Sequence, residues 1–185
     1  MVLSEGPKAP MELSEDRSDD PEQHEGRVRS FPHVRGNWAS FVYITCNVGI
    51  ARKCDNHHIS LSKTFVLKFH WIQTFVDELQ SSIQNTRSFQ LEFESVKVYC
   101  NEERSRTFIA LEVKQHYHKY LEKFDPSFHM SILWIEGDKE KEITNFIDDI
   151  TLTITSQTDE ELLNLFVDKV HCNIGNKSYQ FTLGL

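Results

Sequence analysis

Two four-residue motifs of the same shape constrain the fold of this chain more than any other feature. Their sequences are His58-Ile59-Ser60-Leu61 and His129-Met130-Ser131-Ile132. Successive side chains of an extended strand point to opposite faces. Each motif therefore predicts a strand that buries its two apolar residues on one face and presents a histidine beside a serine on the other. Two such strands predict a cleft with one histidine on each wall.

Three other histidines, at positions 57, 116 and 118, do not belong to either motif. A single histidine in an apolar strand is more often a structural or plain surface residue than a catalytic one, so the repeat carries the argument. The neighbouring His57 is predicted to point to the opposite face of its strand. His116 and His118 have side chains that bind metals, but no third ligand is near them in the sequence. A solvated helix face is the preferred interpretation of that pair.

The charge of the chain is divided unevenly, which matters for its partners. The formal net charge is −8. Residues 1–25 hold 8 acidic and 2 basic side chains. Residues 26–135 hold 10 acidic and 14 basic side chains, and residues 136–185 hold 10 acidic and 4 basic side chains. The middle stretch, which contains both motifs, is therefore net basic, and local charge is what attracts a polyanion. This excess is compatible with RNA binding without demonstrating it.

Length and composition indicate one globular domain with room for two small lobes, since 39% of the 185 residues are hydrophobic. No apolar run approaches the length that spans a membrane. The first seven residues lack the basic start and apolar core of a secretory signal. The four cysteines, at positions 46, 54, 100 and 172, include no Cys-x-x-Cys pair, so reduced thiols in the cytosol or nucleus are expected.

The chain divides into an acidic tail, residues 1–25, and a folded domain, residues 26–185. The tail is rich in Glu, Asp, Ser and Pro, which cannot bury enough apolar surface to fold, so it is predicted to be disordered. Within the domain, β-branched and alternating patterns predict strands at 38–46, 57–62, 88–99, 107–113, 127–135 and 178–183. Helices are predicted at 69–84, 115–123 and 140–150, with a loop at 47–56. Residues 161–172 are ambiguous, although 163–172 alternate well enough for a strand.

The two tetrads resemble the paired His-apolar-Ser/Thr-apolar motifs that define the 2H phosphoesterase superfamily. Longer blocks are similar to the U6 small nuclear RNA 3′-end phosphodiesterase family: residues 26–33, 35–39, 96–99, 106–113, 125–131 and 175–177. The similarity covers most of residues 26–183, and the chain is identified as a member of this family. The stretches before His58 and between Tyr120 and Asp125 are shorter than in the family.

The resemblance implies an α+β fold in which two antiparallel sheets with flanking helices form two lobes around a central cleft. It implies a metal-independent 3′-to-5′ RNA exonuclease that trims the uridine-rich tail of U6 RNA in the nucleus and needs no cofactor. RNA is the expected partner, and a monomer without membrane contact is the expected state.

The paired motifs also suit RNA cleavage on chemical grounds, because each phosphodiester lies next to its own nucleophile, the 2′-hydroxyl. Two histidines, with an ordinary pKa of about 6.5, can serve as base and acid near neutral pH. His129 is expected to take the 2′-hydroxyl proton and His58 to protonate the departing 5′-oxygen. Ser60 and Ser131 are expected to donate hydrogen bonds to the non-bridging oxygens as charge builds on phosphorus. The expected product is a 2′,3′-cyclic phosphate on the shortened RNA.

Four further residues are candidates for substrate binding. Asp125, Ser127 and Phe128 precede the second motif and are expected to line the pocket for the terminal nucleotide. Glu102, in the hairpin loop 101–105, is expected to reach the opening of the same pocket. For Glu102 and Asp125 the role of an ordinary turn residue is equally well supported.

Two other functions stay open at this point. The shortened lobes could retain affinity for RNA without turnover, which would make the chain an inactive or weakly active RNA-binding variant. The site could instead open small cyclic phosphates, as another 2H cyclic phosphodiesterase does.

Overall fold

The fold is an antiparallel sheet with helices packed on its apolar face. The computed structural model describes residues 34–46, 57–118, 128–156 and 164–184. The strands in these ranges are β1 (Asn37–Thr45), β2 (His58–Ser60), β3 (Phe65–Lys68), β4 (Phe89–Cys100), β5 (Arg106–Val113), β6 (His129–Glu136), β7 (Asn164–Val167), β8 (Lys169–Ile174) and β9 (Lys177–Thr182). The α-helices are α1 (Ile72–Ile83), α2 (Glu140–Thr144) and α3 (Ile147–Ser156), and short 3-10 helices lie at Phe69–Trp71 and Gln115–Tyr117. The predicted mixture of helices and strands is confirmed.

The described strands pair as one nine-stranded sheet, whereas the family resemblance implied two sheets. The order is β7-β4-β5-β6-β2-β1-β8-β9, with β3 also paired to β1. The two halves, β7-β4-β5-β6 and β2-β1-β8-β9, meet where β2 pairs antiparallel with β6 through Ile59 and Met130. The two predicted sheets are therefore continuous, and the two motif strands form the junction between them.

The two ends of this sheet lie next to each other. A single residue, Asp168, separates β7 from β8, although these strands stand near opposite ends of the strand order. Backbone hydrogen bonds join the same regions, since the Ser88 N–H donates to the Gly184 carbonyl at 2.7 Å and the Gly184 N–H donates to the Thr86 carbonyl at 2.8 Å. The sheet therefore curls, as the right-handed twist of long antiparallel sheets favours.

Alternation along the strands separates an apolar face from a polar one. In β1 the side chains of Val42 and Ile44 are buried, whereas those of Phe41 and Tyr43 are only partly buried. The apolar face carries the core, and the helices cover it, with α1 against β9 and with α2 and α3 against β4. The helices contribute these partly buried apolar side chains: Ile72, Phe75, Val76, Leu79, Ile143, Ile147, Ile150 and Ile154.

Several element boundaries differ from the sequence prediction. The helix predicted at 69–84 begins as an α-helix only at Ile72, after a 3-10 helix. The helix predicted at 140–150 is two helices, because the Phe146 N–H bonds three residues back, to Ile143, and forms a turn. The ambiguous segment forms β7 and β8, and the short strand β3 was not predicted. The predicted helix at 115–123 is described only through residue 118, where a 3-10 helix is found.

Some predictions lie outside the described residues. These are the disordered tail at 1–25, the start of the domain at 26, the loop at 47–56 and the entry to the second motif at 125–127. Within the described ranges, none of the helices combines the length and the apolar character needed to cross a lipid bilayer. The thiols of Cys46, Cys100 and Cys172 are free. Burial raises the pKa of Cys46 to about 12 and that of Cys172 to about 11, so both thiols are protonated at neutral pH.

The turn between β8 and β9 offers a test of the packing. Gly175 has a φ of +58°, a left-handed conformation that costs a residue with a Cβ about 1–2 kcal/mol. A Cβ there would also lie 2.4 Å from Cε3 of Trp38. We expect Gly175→Ala to lower the free energy of unfolding in urea by about 2–4 kcal/mol. Gly137, with a φ of +80° and open space around it, is the control, because Gly137→Ala carries the backbone cost alone. Equal losses in the two variants would contradict the packing of Trp38 against the turn.

Candidate active site

The two motif strands lie side by side and present their polar residues on one face of the sheet. Ile59 and Met130, which pair across the junction, are fully buried. In an antiparallel pair, the residue before one partner lies opposite the residue after the other partner. The register therefore forms two pairs across the junction: His58 with Ser131, and His129 with Ser60.

The two histidines are diagonal neighbours in this register. Diagonal residues in an antiparallel pair are about 7–8 Å apart. This spacing accommodates one phosphate group between two imidazole rings. His58, His129 and Ser131 are partly buried and Ser60 is exposed, so the polar face at the junction is open to a ligand. The four residues predicted to be catalytic are thus brought together.

His58 lies against a row of rings from β1 and β8. Its ring centroid is 5.5 Å from that of Tyr43, edge to face, and 6.1 Å from that of Phe41. Tyr43 also stacks on His171 at 5.4 Å and donates from its hydroxyl to Oδ1 of Asn173 at 3.3 Å. Burial lowers the pKa of His171, so this ring is neutral near neutral pH. The row therefore restricts where the His58 ring can turn.

His129 has a closer aromatic neighbour. Its ring stacks on Tyr99 of β4 with the centroids 4.2 Å apart and the planes 16° from parallel. Its backbone partner across β5 and β6 is Glu112. The side chain of Glu112 accepts hydrogen bonds from the hydroxyls of Ser95 at 3.3 Å and Tyr99 at 3.5 Å, and it forms an ion pair with Lys97. His129 therefore sits beside an organised polar cluster.

The protonation states in this cluster follow from its contacts. Burial opposes the charged form of Glu112, but the hydrogen bonds and charge of Lys97, Ser95 and Tyr99 outweigh it, so the net pKa lies below its usual value. Burial, and then the charge of Glu112, raises the pKa of Tyr99 to about 12. At neutral pH the carboxylate is ionised and the phenol keeps its proton, so Tyr99 donates and Glu112 accepts.

His57 points away from this cluster, yet it fixes the junction. Its side chain is buried, and its Nδ1 lies 3.3 Å from the backbone carbonyl oxygen of Ser131. A carbonyl oxygen can only accept a hydrogen bond, so Nδ1 carries the proton and donates. The bond crosses from β2 to β6 beside the Ile59 and Met130 pair. His57 therefore supports the relative position of the two motif strands.

This bond leads to a prediction for stability. His57→Ala leaves the Ser131 carbonyl without this donor, and we expect a loss of about 1–3 kcal/mol in the free energy of unfolding. His116 is exposed and lies in the 3-10 helix at Gln115–Tyr117, so His116→Ala is a matched control with a loss below about 0.5 kcal/mol. Urea denaturation of both variants makes the comparison. A His57→Ala variant as stable as the control would show that the bond does not hold the junction.

The predicted substrate-binding residues fall in different places. Phe128 is 3% exposed and packs in the hydrophobic core, so it supports the second motif from behind rather than lining an open pocket. Glu102 is exposed and pairs with Lys63, which follows the first motif, with 2.5 Å between Nζ and Oε1. This pairing lowers the pKa of Glu102. Asp125 and Ser127 lie outside the described residues.

The rings of His116 and His118 have different contacts and do not meet at a common point. The ring of His116 lies over Tyr117 at 3.8 Å, whereas Nε2 of His118 is 3.1 Å from the carbonyl oxygen of Val113. In the part of the chain that the structure describes, no three His, Cys, Asp or Glu side chains are grouped to hold a metal ion.

Sequence reasoning missed Tyr43, Tyr99 and Glu112 as neighbours of the motif histidines. Each lies on a strand that was predicted, at a position whose alternation places it on the polar face. The strand order and register are needed to bring these side chains beside His58 and His129. Alternation alone could have placed Lys97 and Tyr99 on the polar face. It could not have shown which side chains on the neighbouring strands they contact.

Comparison with known proteins decides the family. The family model described as "HVSL: Uncharacterised conserved protein" matches residues 8–53, 50–124 and 114–182. "U6 snRNA phosphodiesterase 1" of Drosophila melanogaster is 33% identical over 217 positions, covering 96% of this chain and 83% of the relative. The chain belongs to the U6 snRNA phosphodiesterase 1 family. The Xenopus laevis and Homo sapiens members are 34% and 32% identical, covering 91% and 89% of this chain and 82% and 77% of those relatives.

Solved structures support the fold of this U6 snRNA phosphodiesterase 1 family member. The structure of Kluyveromyces marxianus Usb1 aligns with a TM-score of 0.56 at 13% identity, covering 78% of this chain and 98% of that one. Its form with uridine monophosphate aligns with a TM-score of 0.52, also at 13% identity, covering 80% and 97%. The Drosophila alignment spans more positions than the 185 residues of this chain, so that relative carries segments that are absent here.

Proposed function

We propose that this chain is an RNA phosphodiesterase that shortens the 3′ end of U6 small nuclear RNA. Membership in a family whose members are named for that activity supports the substrate. The observation that carries the chemistry is the junction of β2 and β6, which sets two histidines diagonally on one face with a serine opposite each. A phosphodiester placed there has one imidazole on either side, as in-line displacement requires.

The proposed reaction is an attack by the RNA on itself. His129 takes the proton from the 2′-hydroxyl of the penultimate nucleotide, and that oxygen forms a bond to phosphorus. The bond from phosphorus to the 5′-oxygen of the terminal nucleoside breaks, and His58 donates the proton that this oxygen needs. The products of the first turnover are a terminal nucleoside and a shortened RNA with a 2′,3′-cyclic phosphate, and each later turnover releases a nucleoside 2′,3′-cyclic phosphate instead. All atoms and protons balance without a metal ion or cofactor.

The surroundings of the two histidines support this division of roles. A base begins neutral and becomes an imidazolium as the reaction proceeds. The ring of Tyr99 lies parallel to His129 at 4.2 Å, and an aromatic face stabilises a cation. His58 meets Tyr43 edge to face at 5.5 Å instead. The hydroxyls of Ser60 and Ser131 supply donors for the non-bridging oxygens, where negative charge grows.

Further features belong to the same proposal. Asp125, Ser127 and Glu102 contact the terminal nucleotide, and Phe128 holds the second motif from behind. The chain acts as a monomer in the nucleus. In this proposal the two halves of the sheet that meet at β2 and β6 act as two lobes on either side of the substrate.

One alternative has its own support. The relatives carry segments that this chain lacks, which favours a variant that binds RNA with little or no turnover. The opening of small cyclic phosphates remains an outcome of the same test.

The test uses RNA that ends in a uridine run, labelled at its 5′ end and incubated with the full chain in EDTA. We expect stepwise shortening to products that resist phosphatase until acid opens the cyclic phosphate. His58→Ala and His129→Ala should each abolish shortening. RNA binding without shortening would support the binding variant, and opening of uridine 2′,3′-cyclic phosphate alone would support the other cyclic phosphodiesterase. Shortening that depends on a metal ion or survives both substitutions would overturn the mechanism.

A further inference from the structure

We propose that Tyr99, anchored by Glu112, is a positioning residue that holds the imidazole of His129 in its reactive orientation; this inference rests on the proposed function. The side chains come from three adjacent strands, with Tyr99 on β4, Glu112 on β5 and His129 on β6. All three face the polar side of the sheet. Tyr99 is not part of either motif, and its contribution is to act through His129.

The stack crosses the middle strand of the three. On the same face, β5 presents Ala110, whose backbone partners are Lys97 on one side and Ser131 on the other. A methyl group at this position leaves space above β5, where the rings of Tyr99 and His129 meet. A larger side chain would fill that space. The sequence of β5 therefore permits a contact between residues that are two strands apart.

The phenol is held at its far end. Its hydroxyl donates to Oε1 of Glu112 at 3.5 Å, and the other carboxylate oxygen accepts from Ser95 at 3.3 Å and contacts Lys97. The carboxylate thus has partners on several sides and cannot turn freely. Since the hydroxyl and the carboxylate lie on neighbouring strands, this bond restricts where the far end of the Tyr99 ring can lie relative to the sheet.

The position of the Tyr99 ring restricts His129. An imidazole on a strand can rotate about two side-chain torsions, and only some orientations aim a ring nitrogen at a bound phosphodiester. A parallel ring at 4.2 Å blocks rotations that tilt the imidazole. Misplacement of a reacting group by about 1 Å can cost about 100-fold in rate. The same stack favours the imidazolium that forms during the reaction.

The ring contact of His58 with Tyr43 has a different geometry. Its contact with Tyr43 has the ring planes 71° apart, and the hydroxyl of Tyr43 bonds to an asparagine rather than a carboxylate. The positioning role is assigned to Tyr99 on the evidence of its parallel stack, and it acts on the base of the proposed reaction.

The experiment compares Tyr99→Leu, Tyr99→Phe and Glu112→Gln in the full chain on RNA ending in a uridine run. We expect Tyr99→Leu to lower kcat at least about 10-fold with KM within about twofold, because the RNA is still bound but the base is misaligned. Tyr99→Phe retains the ring and should keep kcat within about threefold. Glu112→Gln should fall between them.

The matched control is Tyr117. It is also a partly buried tyrosine whose hydroxyl donates to a glutamate, Glu92, at 2.6 Å, but it lies outside the site. Tyr117→Leu should therefore leave kcat unchanged. Thermal unfolding of every variant identifies any loss of rate that comes from loss of fold.

A second readout does not depend on activity. Protons of the His129 ring should resonate upfield in the original chain and in Tyr99→Phe, because the stacked ring shields them, and should lose this shift in Tyr99→Leu. Unchanged His129 resonances in Tyr99→Leu, or a kcat within twofold of the original, would overturn the positioning role. If the original chain does not cleave RNA while its His129 resonances are shielded, the proposed function fails although the stack exists.

Discussion

Replacing His129 with alanine is expected to lower the rate of RNA cleavage by about 100- to 10,000-fold, whatever the leaving group. Replacing His58 should cause a similar loss on ordinary RNA. The loss in His58→Ala should largely disappear when sulfur replaces the bridging 5′-oxygen at the terminal linkage. A thiolate, whose conjugate acid has a pKa of about 8.5, departs without a proton, whereas an alkoxide needs one. The measurement is the single-turnover rate on the two RNAs.

The design also separates the two roles from a general effect on the site. His116→Ala removes an exposed histidine and should match the original chain on both RNAs. Rescue of His129→Ala by the sulfur leaving group, with none for His58→Ala, would reverse the assignment of acid and base. Equal rescue of both variants would contradict a mechanism in which one histidine acts on each bridging oxygen.

We expect the core at the junction of the two sheet halves to tolerate substitution least. Ile59 is fully buried and pairs with Met130, which is also fully buried. Ile59→Ala removes buried carbon atoms and leaves a cavity, so we expect the free energy of unfolding to fall by about 2–5 kcal/mol. Cleavage should fall with it, since the same pair sets the spacing of the histidines. Urea denaturation and the cleavage rate of one sample measure both effects.

The control for this substitution is Leu152→Ala on α3. Leu152 is 68% exposed, so its truncation should cost less than about 0.5 kcal/mol and leave cleavage unchanged. If Ile59→Ala is no less stable than Leu152→Ala, the two halves of the sheet do not depend on this pair.

Local patterns were sufficient to predict the strands that carry the motifs. Alternation at 57–62 and 127–135 placed a buried isoleucine and methionine behind the polar residues, and Ile59 and Met130 are fully buried. Three-four spacing predicted the buried face of α1, although the first turn is a 3-10 helix. These successes share a cause, since both patterns depend only on which face of one element meets the core.

These local patterns do not predict the order of the strands in the sheet. The family resemblance implied two sheets, whereas β2 and β6 are neighbours in one sheet. Strand pairing is set by contacts between residues far apart in the chain. The stack of Tyr99 on His129 depends on the register of β4, β5 and β6, and no local spacing specifies it.

Short elements were also hard to predict. β3 has four residues, and β7 and β8 are separated by a single residue although they pair at different places in the sheet. Such segments are stabilised by their partners rather than by their own composition. The helix predicted at 140–150 is interrupted near Phe146, where a turn separates α2 from α3.

Binding of uridine monophosphate tests, without any reaction, whether the two motifs form one phosphate site. The full chain, with its histidine rings isotopically labelled, is titrated with the nucleotide and followed by NMR. We expect the ring resonances of His58 and His129 to shift together, with one dissociation constant. A shift at only one of the two histidines, or shifts with two different constants, would contradict a single site at the junction of β2 and β6.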